Sequence, residues 1–450
     1  MNNFYNIKKG LDIQIKGKAS EIISDNYIDS TFIISPNDFF GFSPKLSVKI
    51  DDIVKRGDCL CFDKNMQEIK LTSPVNGKII DIIRGEKRII EEIIIEKIEN
   101  NNAVNYASIN PNEYNQQNIK SLLLDSGCWL YIKQRPFATI ANPEISPRDI
   151  FISFFDSSPL AANYDFILKD KKNEINTALK AISCLCNNKI YLNFRKNSQL
   201  IDIIDNHENY NINFFAGPHP AGLAGTHINK IKPINKNEIV WTLNAADLPI
   251  IGHLLIYKEY LPERIFALCG PDIKNPCYYK TISNCVIINL LKNKITSDNN
   301  RIISGNVLTG KNVSKKPHLK FSDTLITIIP EGNNLQDIFG WIMPGFKKFS
   351  FSNTFISKYI KPKKFEITTN LHGGKRAFII SGQYEKVFPL DIFPQLLIKA
   401  AIASDIEKME ELGIYEIIEE DLALCEFICT SKINIQEILK SSFKIFLDKN

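Results

Sequence analysis

The rhythm of apolar and polar positions changes several times along the chain. Between Ser47 and Ile98, short β-branched runs (Ser47–Ile50, Cys59–Phe62, Ile69–Leu71, Lys78–Ile83, Ile89–Ile98) alternate with the turn residues Arg56-Gly57-Asp58, Ser73-Pro74, Asn76-Gly77 and Gly85. That pattern predicts a β domain of short strands. The polar, asparagine-rich stretch 100–118 reads as a linker. From 119 to 260, strand-like and helix-like segments alternate. Ile119–Ser126 reads as helix and Trp129–Lys133 as extended, and Asp149–Phe155 is a near-continuous apolar run suited to a buried parallel strand. Asn173–Cys186 carries helical spacing at Ile175, Leu179, Ile182 and Leu185, and Ile190–Asn193, Ile212–Ala216 and Ile239–Leu243 are further strands. Alternation of this kind predicts an open α/β sheet.

Downstream, Glu263–Gly270 predicts a strand ending in a Gly-Pro turn, with Ile282–Leu291 and Arg301–Leu308 after it. His318–Ile380 reads as mixed β with aromatic-rich loops, and Leu396–Met409, Glu419–Phe427 and Ile435–Phe446 have helical periodicity. The expected organisation is an α/β multidomain chain: a barrel-sandwich β domain of the biotinyl/lipoyl-like type over 1–100, a Rossmann-like open α/β domain over 119–260, a small β-grasp domain of the SLBB-like type over 262–312, and a mixed β then helical C-terminal region over 313–450.

Composition narrows the function more than the fold. With 450 residues, 44% hydrophobic and 23% charged, the chain is an ordinary globular protein rather than a disordered or low-complexity one. A net charge of +5 from 55 basic and 50 acidic residues does not predict nucleic-acid binding. The longest apolar stretches, Ile79–Ile95 and Phe388–Ser404, are interrupted by Arg84, Glu86, Lys87, Asp391 and Lys399, so neither predicts a membrane span. Lys8 and Lys9 are not followed by an apolar stretch, unlike a secretory signal. Ten cysteines are too sparse for a disulfide scaffold, which makes a reducing compartment the default. Their spacings (Cys59/Cys61, Cys184/Cys186, Cys425/Cys429) match no zinc or iron–sulfur framework.

Four features could carry chemistry. The loop from Phe214 to Ile228 follows a strand and contains Gly217, His219, Gly222, Gly225 and His227. Such a loop can cradle a phosphate through converging backbone N–H groups. Its glycines do not fit G-x-G-x-x-G, however, and the histidines have no evident carboxylate partner, which favours a structured loop that positions a ligand or partner. Lys64 lies between two glycine turns, where a carrier domain places its modified lysine, but only Asp63-Lys64 agrees with the carrier pattern, so a solvated turn lysine is the default. Phe39, Phe40 and Phe42 in one loop, and Arg135 and Phe137 in another, suggest either a hydrophobic ligand or a plug between two domains of the same chain. Cys425 and Cys429 share a helix face and read either as half a metal site or as buried, inert thiols.

An ordered series of segments then points to a family. It runs Lys8–Ile13, Arg84–Arg88, Arg135-Pro136-Phe137, His219–His227, Arg301–Gly305, Gly340–Gly345, Tyr384–Pro394 and Glu420–Cys429. In this order, spanning nearly the whole chain, it resembles the A subunit of the bacterial Na+-translocating NADH:quinone reductase. Ala224 and Thr430-Ser431 depart from the family's usual proline and Pro-Gly. The resemblance implies a peripheral subunit on the cytoplasmic face of the inner membrane, partnered by the membrane subunits of the same complex and chiefly by its B subunit. It implies no cofactor on this chain, with flavins and Fe–S centres in partner subunits. Ubiquinone or menaquinone is the implied ligand, and Phe39, Phe40, Phe42, Arg135 and Phe137 are the residues expected to meet it. The family also resembles the flavin subunit of complex I and the C subunit of the Rnf complex, so a flavin- or nucleotide-binding redox subunit is the alternative expectation. Cys425 and Cys429 would then mark the remnant of a cluster region.

Overall fold

The computed structural model describes residues 3–100, 102–332, 345–346, 348–352, 355–360 and 364–448; of the stretch 340–345, residues 340–344 lie outside the described residues. In chain order the elements begin with β1 (Asn3–Asn6), β2 (Ile23–Asn26), β3 (Thr31–Ile34), β4 (Pro44–Leu46), β5 (Ile53–Val54), β6 (Cys59–Asp63), β7 (Lys70–Thr72), β8 (Gly77–Arg84) and β9 (Ile90–Lys97). Next come α1 (Gln116–Ser126), β10 (Lys133–Arg135), β11 (Thr139–Ile140), β12 (Asp149–Ser153), α2 (Tyr164–Ile167), α3 (Lys172–Ser183), β13 (Ile190–Arg195), β14 (Tyr210–Ala216), α4 (Ala224–Ile231), β15 (Val240–Asn244) and α5 (Leu248–Tyr257). The remainder is β16 (Glu263–Cys269), β17 (Cys277–Ile282), α6 (Ile288–Leu291), β18 (Asn300–Ser304), β19 (Lys311–Asn312), β20 (Leu325–Pro330), α7 (Ser357–Ile360), α8 (Pro394–Ala403), α9 (Ile406–Glu411), α10 (Ala423–Ile428) and α11 (Ile435–Leu447).

The short, turn-punctuated strands form two small antiparallel sheets, β3-β9-β8-β5 and β4-β6-β7, which close over Phe32, Leu60, Ile69, Ile79, Ile93 and Ile95. This is the barrel-sandwich fold. Lys64 sits exposed in its β6–β7 turn, while the neighbouring Asp63 carboxylate accepts the N–H groups of Ser43 and Asn65. The asparagine-rich stretch is more ordered than a linker. Val104 N–H bonds Arg56 O, Tyr106 N–H bonds Lys258 O, and the Tyr106 hydroxyl donates to Gly57 O, so it straps this domain to the end of α5.

The second domain is a seven-stranded sheet ordered β1-β14-β13-β12-β15-β10-β11, parallel from β1 to β15 and antiparallel at β10 and β11. β12 is buried at every position because helices cover both faces. Ile150 and Ile152 join the core that contains residues of α3 and α5, while Phe151 packs with Tyr191 and with Ile228 of α4. The first two β-strands do not stay with the barrel-sandwich. β1 adds to this sheet through β14, and β2 adds to the next sheet through β17.

That next sheet is six-stranded, ordered β19-β18-β20-β16-β17-β2, and β20 at Leu325–Pro330 extends it past the expected limit at 312. The C-terminal helices bury a separate core around Leu397, Met409, Leu422, Leu439 and Phe443.

Three local expectations are corrected. Cys128–Tyr131 is a 3-10 turn rather than a strand, because Trp129 turns inward to donate its indole N–H to Ala141 O and to meet Trp241 edge-on at 5.3 Å. Leu396–Met409 is two helices rather than one. Ser404 takes a left-handed φ of 55°, and the Asp405 side chain caps α9 by accepting from Lys408 N–H. Between His318 and Ile380, β20 is the one strand among the described residues.

The α/β domain and the six-stranded sheet are joined by a buried ion pair. The Arg264 guanidinium on β16 bonds Asp247 and also donates to Ser283 Oγ at 2.9 Å and Phe321 O at 3.0 Å. Both side chains are at most 4% exposed. Replacing Arg264 by Met leaves a buried carboxylate without its partner and should cost about 3–5 kcal/mol, whereas the Arg264→Met/Asp247→Leu pair should recover most of the loss. Thermal midpoints of the two variants would check this, and equal midpoints would remove the pair's role as the joint.

Candidate functional site

In an open α/β sheet, ligands bind beyond the carboxyl ends of the parallel strands, at the point where strand order reverses. Here the reversal lies between β12 and β15, followed respectively by Phe154–Ser158 and by Ala245–Asp247. The chain fills that crevice itself. Asp156 is half-buried and accepts both the N–H and the hydroxyl of Ser158, at 2.7 and 2.9 Å, and desolvation pushes its carboxyl up. Arg264 reaches in from the next sheet to Asp247, with its guanidinium 5.6 Å from the centre of the Tyr131 ring. Tyr131 stacks on Phe321 at 4.6 Å, and Phe39 meets the same ring edge-on at 4.9 Å. Burial pushes Asp247 up as well, but the adjacent guanidinium, which stays protonated in proteins, opposes this.

The glycine-rich loop after β14 lies beside this crevice, and its polar groups are held by the chain. The segment leaving β1 runs against it. Ile7 N–H bonds Ala216 O, Leu11 N–H bonds His219 O, and His219 N–H bonds the Asp12 carboxylate at 2.9 Å. Gly217 has φ +121°, and a Cβ there would stand 2.1 Å from Ile7 O, so both the conformation and the close approach require glycine. Gly222 N–H donates to Ser157 Oγ at 2.8 Å, and Ser157 Oγ lies 3.0 Å from His219 Nδ1. His227 is bracketed by Ser153 Oγ at Nδ1, 3.1 Å, and Ala221 O at Nε2, 2.9 Å. A carbonyl can only accept, so Nε2 carries the proton. Burial pushes His227 down to about 3 and His219 to about 4, which leaves both rings neutral at physiological pH.

Of the five residues expected to meet a quinone, Phe40, Arg135 and Phe137 meet at a second seam, between the α/β domain and the C-terminal helices, while Phe39 and Phe42 belong to the core on the Phe321 side. Arg135, at the end of β10, is 1% exposed. Its Nη1 donates to Asp421 Oδ2 at 2.9 Å, and its Nη2 lies 3.6 Å from Glu420. The tight β10–β11 hairpin holds Phe137 and Ala138 at φ 74° and 53°, in the region that β-carbons disfavour. Burial of the Phe137 ring among Tyr415, Phe443 and Phe446, with centroids 5.2–5.8 Å away, offsets that strain. Phe39 and Phe42 are buried against each other at 6.0 Å. Phe40 is the half-open member, 6.5 Å from Phe443 and covered by the Lys440 ammonium at 5.4 Å.

Asp421 links the two seams. Its carboxylate packs on Gly225 in the first turn of α4, where a Cβ would stand 2.3 Å from Oδ1. An anion at a helix N-terminus is favoured by the helix dipole. Around this contact, Asn229 donates to Glu416, Lys230 Nζ donates to Pro389 O at 2.8 Å, and Lys236 pairs with Glu410 at 2.7 Å. Sequence reasoning singled out Arg135 and Gly225 but not the carboxylate that joins them. The run Glu419-Glu420-Asp421 ahead of an apolar segment was the available signal. Cys425 and Cys429 are buried in the C-terminal core, next to Tyr384. Among the described residues, no group of three or more His, Cys, Asp or Glu is arranged to hold a metal ion. Also among them, no helix is long and apolar enough to cross a membrane.

A barrel-sandwich unit, an open α/β sheet and a six-stranded sheet follow one another, with helices closing the end, which defines a multidomain α/β protein. Family models match it piece by piece: the NqrA N-terminal barrel-sandwich hybrid domain over residues 5–101, the NqrA second alpha/beta domain over 114–259, and the NQRA C-terminal domain over 265–315. The A subunit of the Na(+)-translocating NADH-quinone reductase of Photorhabdus laumondii is 34% identical over 438 residues, covering 96% of this chain and 97% of its own. The corresponding A subunit of Haemophilus influenzae strain PittGG is 36% identical over 440 residues, with the same coverage. The chain belongs to the NqrA family, the A subunits of the Na(+)-translocating NADH-quinone reductases. Among solved structures, an NAD+-reducing [NiFe]-hydrogenase superposes at a TM-score of 0.34 and 9% identity over 68% of this chain and 55% of its own, too loosely to assign fold or function.

Two expectations follow from the Asp421 contact. Ala is normally preferred over Gly inside a helix, so Gly225→Ala would ordinarily stabilise α4. Against the Asp421 carboxylate it should instead destabilise, by about 1–3 kcal/mol in denaturant titration. A neutral or stabilising result would show that the carboxylate does not press on the helix. Burial and the neighbouring Asp421 push Glu420 up to about 7. An acid raised in the fold binds its proton more tightly there than in the unfolded chain, so stability falls as pH rises from the ordinary carboxyl range to about 7. Glu420→Gln should therefore gain in thermal midpoint over the parent at pH 8 relative to pH 5. The same difference at both pH values would refute the raised pKa.

Proposed function

We propose that this chain is the peripheral NqrA component of a sodium-pumping NADH:quinone reductase, seated on the cytoplasmic face of the bacterial inner membrane and docked on the membrane subunits, chiefly the B subunit. The assembled enzyme passes electrons from NADH to ubiquinone or menaquinone and exports Na+. In this reading flavins and Fe–S centres sit in the partners, and this chain supplies shape and contacts rather than a cofactor. The observation that carries it is likeness to NqrA relatives along 96% of the chain, with all of the recognised units in order.

The crevice at the strand-order reversal supports the same reading over the flavin- or nucleotide-binding alternative. Asp156, Asp247 and Arg264 occupy the place where an α/β fold of this type seats a nucleotide. An absorbance spectrum of the purified chain separates the two. A stoichiometric flavin or iron–sulfur band would favour the alternative.

A quinone contact at the C-terminal seam is part of the proposal. Arg135 and Phe137 hold the seam together, Phe39 and Phe42 lie in the neighbouring core, and Phe40 is the ring an incoming quinone head would reach. A lost aromatic stack is worth about 1 kcal/mol, or roughly fivefold. Phe40→Ala should raise the quinone KM of the assembled enzyme by about that factor and leave NADH oxidation with an artificial acceptor unchanged. Unaltered quinone kinetics in a complex that assembles normally would remove Phe40 from the site.

A further inference from the structure

The exposed apolar surface is concentrated in one stretch of the chain. Among the described residues, nine of the twenty exposed large hydrophobic side chains lie between Phe346 and Ile402. Scattered single apolar residues need no explanation, but a concentration does. Its centre is formed by α8 and the loop before it. The inner side of α8 buries Leu397, Ile398, Ala400 and Ala401, while its outer side shows Leu396 and Ile402 at 43% and 51% exposure. A helix apolar on both sides calls for cover on the second. The loop is pinned beside the start of α8: Ser381 N–H donates to Gln395 Oε1 at 3.0 Å, and Gln395 Nε2 donates back to Ser381 Oγ at 3.2 Å. This sets Ile379 and Ile380, at 58% and 60% exposure, near Phe393 at 66%.

The charges on the loop 371–380 and on the outer side of α8 are basic, with the exposed carboxylates Asp391 and Asp405 at the two ends of that helix. Lys375 and Arg376 are exposed on the loop, and Lys399 is exposed on the outer side of α8 between Leu396 and Ile402. Arg376 N–H is anchored to Ser431 O, which brings Lys432 alongside, its side chain 3.5 Å from a Cβ built at Gly373. From 367 to 384 the sequence contains no Asp or Glu. The carboxylate nearest α8 on its approach, Asp391, interacts with Lys230 and Glu416. On and beside the loop and on the outer side of α8, the four cations Lys375, Arg376, Lys399 and Lys432 form a local basic cluster.

We propose that this face is a lipid-contact surface that rests directly on an anionic phospholipid bilayer. Apolar side chains enter the headgroup boundary, and Lys375, Arg376, Lys399 and Lys432 pair with lipid phosphates. Long basic side chains suit this role because their stems lie along apolar surface while the charges stay in the polar layer. Surface attraction of this type is worth roughly a factor of five per Lys or Arg and is screened by salt. The inference goes beyond membership in the complex, since it assigns a membrane contact to this chain without a protein partner.

The test is flotation of the full chain with vesicles of phosphatidylglycerol and phosphatidylethanolamine, against vesicles of phosphatidylcholine alone. The expected result is partition onto the anionic vesicles that weakens as salt rises. Lys375→Glu/Arg376→Glu should lower it by at least about tenfold, and Ile380→Ser/Leu396→Ser should also lower it, with the thermal midpoint unchanged in both. No binding to anionic vesicles at low salt, equal binding to phosphatidylcholine, or full binding by the apolar double variant would each overturn the proposal. So would equally tight binding to a short DNA duplex, which would mark a general polyanion patch. Protection of the face by a purified membrane subunit, without vesicle binding, would hand it to a protein partner and equally overturn it. Because the assay contains no other subunit, its failure leaves the proposed place in the reductase standing.

Discussion

A guanidinium that is 1% exposed must be neutralised where it stands, and at Arg135 the partner comes from almost the other end of the chain. Asp421 accepts from Arg135 and from Ile418 N–H through one oxygen, and presses against the first turn of α4 at Gly225. Removing either partner of such a pair leaves a buried charge that the interior cannot solvate. The contact therefore sets the position of the C-terminal helices on the α/β domain. Phe137 can hold its strained backbone because those helices supply Tyr415, Phe443 and Phe446 to bury its ring. The hydrogen bonds from α4 to Glu416 and Pro389 and the Lys236–Glu410 ion pair extend the same interface outward.

The second buried pair, Asp247 with Arg264, does for the six-stranded sheet what Asp421 does for the helices. It also occupies the place where this kind of sheet ordinarily receives a ligand. In this α/β domain the switch point is closed by an ion pair, a half-buried Asp156 and stacked rings. The glycine-rich loop beside it follows the same logic. Gly217, Gly222 and Gly225 each admit a piece of the same chain (Ile7, Ser157 and Asp421) rather than a phosphate.

Much of the local structure was legible. The alternation of short β-branched runs with glycine turns gave away the barrel-sandwich. The fully apolar Asp149–Phe155 pointed to a strand covered on both faces, and the spacing of Ile175, Leu179 and Ile182 to a helix. Misreadings arose where a side chain's destination overrode local preference. Trp129 turned a β-like run into a 3-10 turn because its indole needed Ala141 O, and Ser404 broke one periodic helix into two because Asp405 offered a cap. The site was half legible: Arg135, Phe137, Gly217, Gly225 and the two histidines drew attention by residue type, but their partners were invisible because they lie tens to hundreds of positions away.

By itself, the sequence determined the kinds of units, their order and the family, because those depend on local periodicity, turn residues and motifs read in a row. Only the tertiary structure decided what the unusual residues are for. It brought Asp12 to His219, Ser157 to Gly222, Arg264 to Asp247 and Asp421 to both Arg135 and Gly225. It lent β1 and β2 to sheets built from other parts of the chain, and it left one face of α8 uncovered. The physical reason is that pairing of buried charge, close backbone approach and the covering of an apolar face are properties of what meets in space, and no local pattern records which distant residue will arrive.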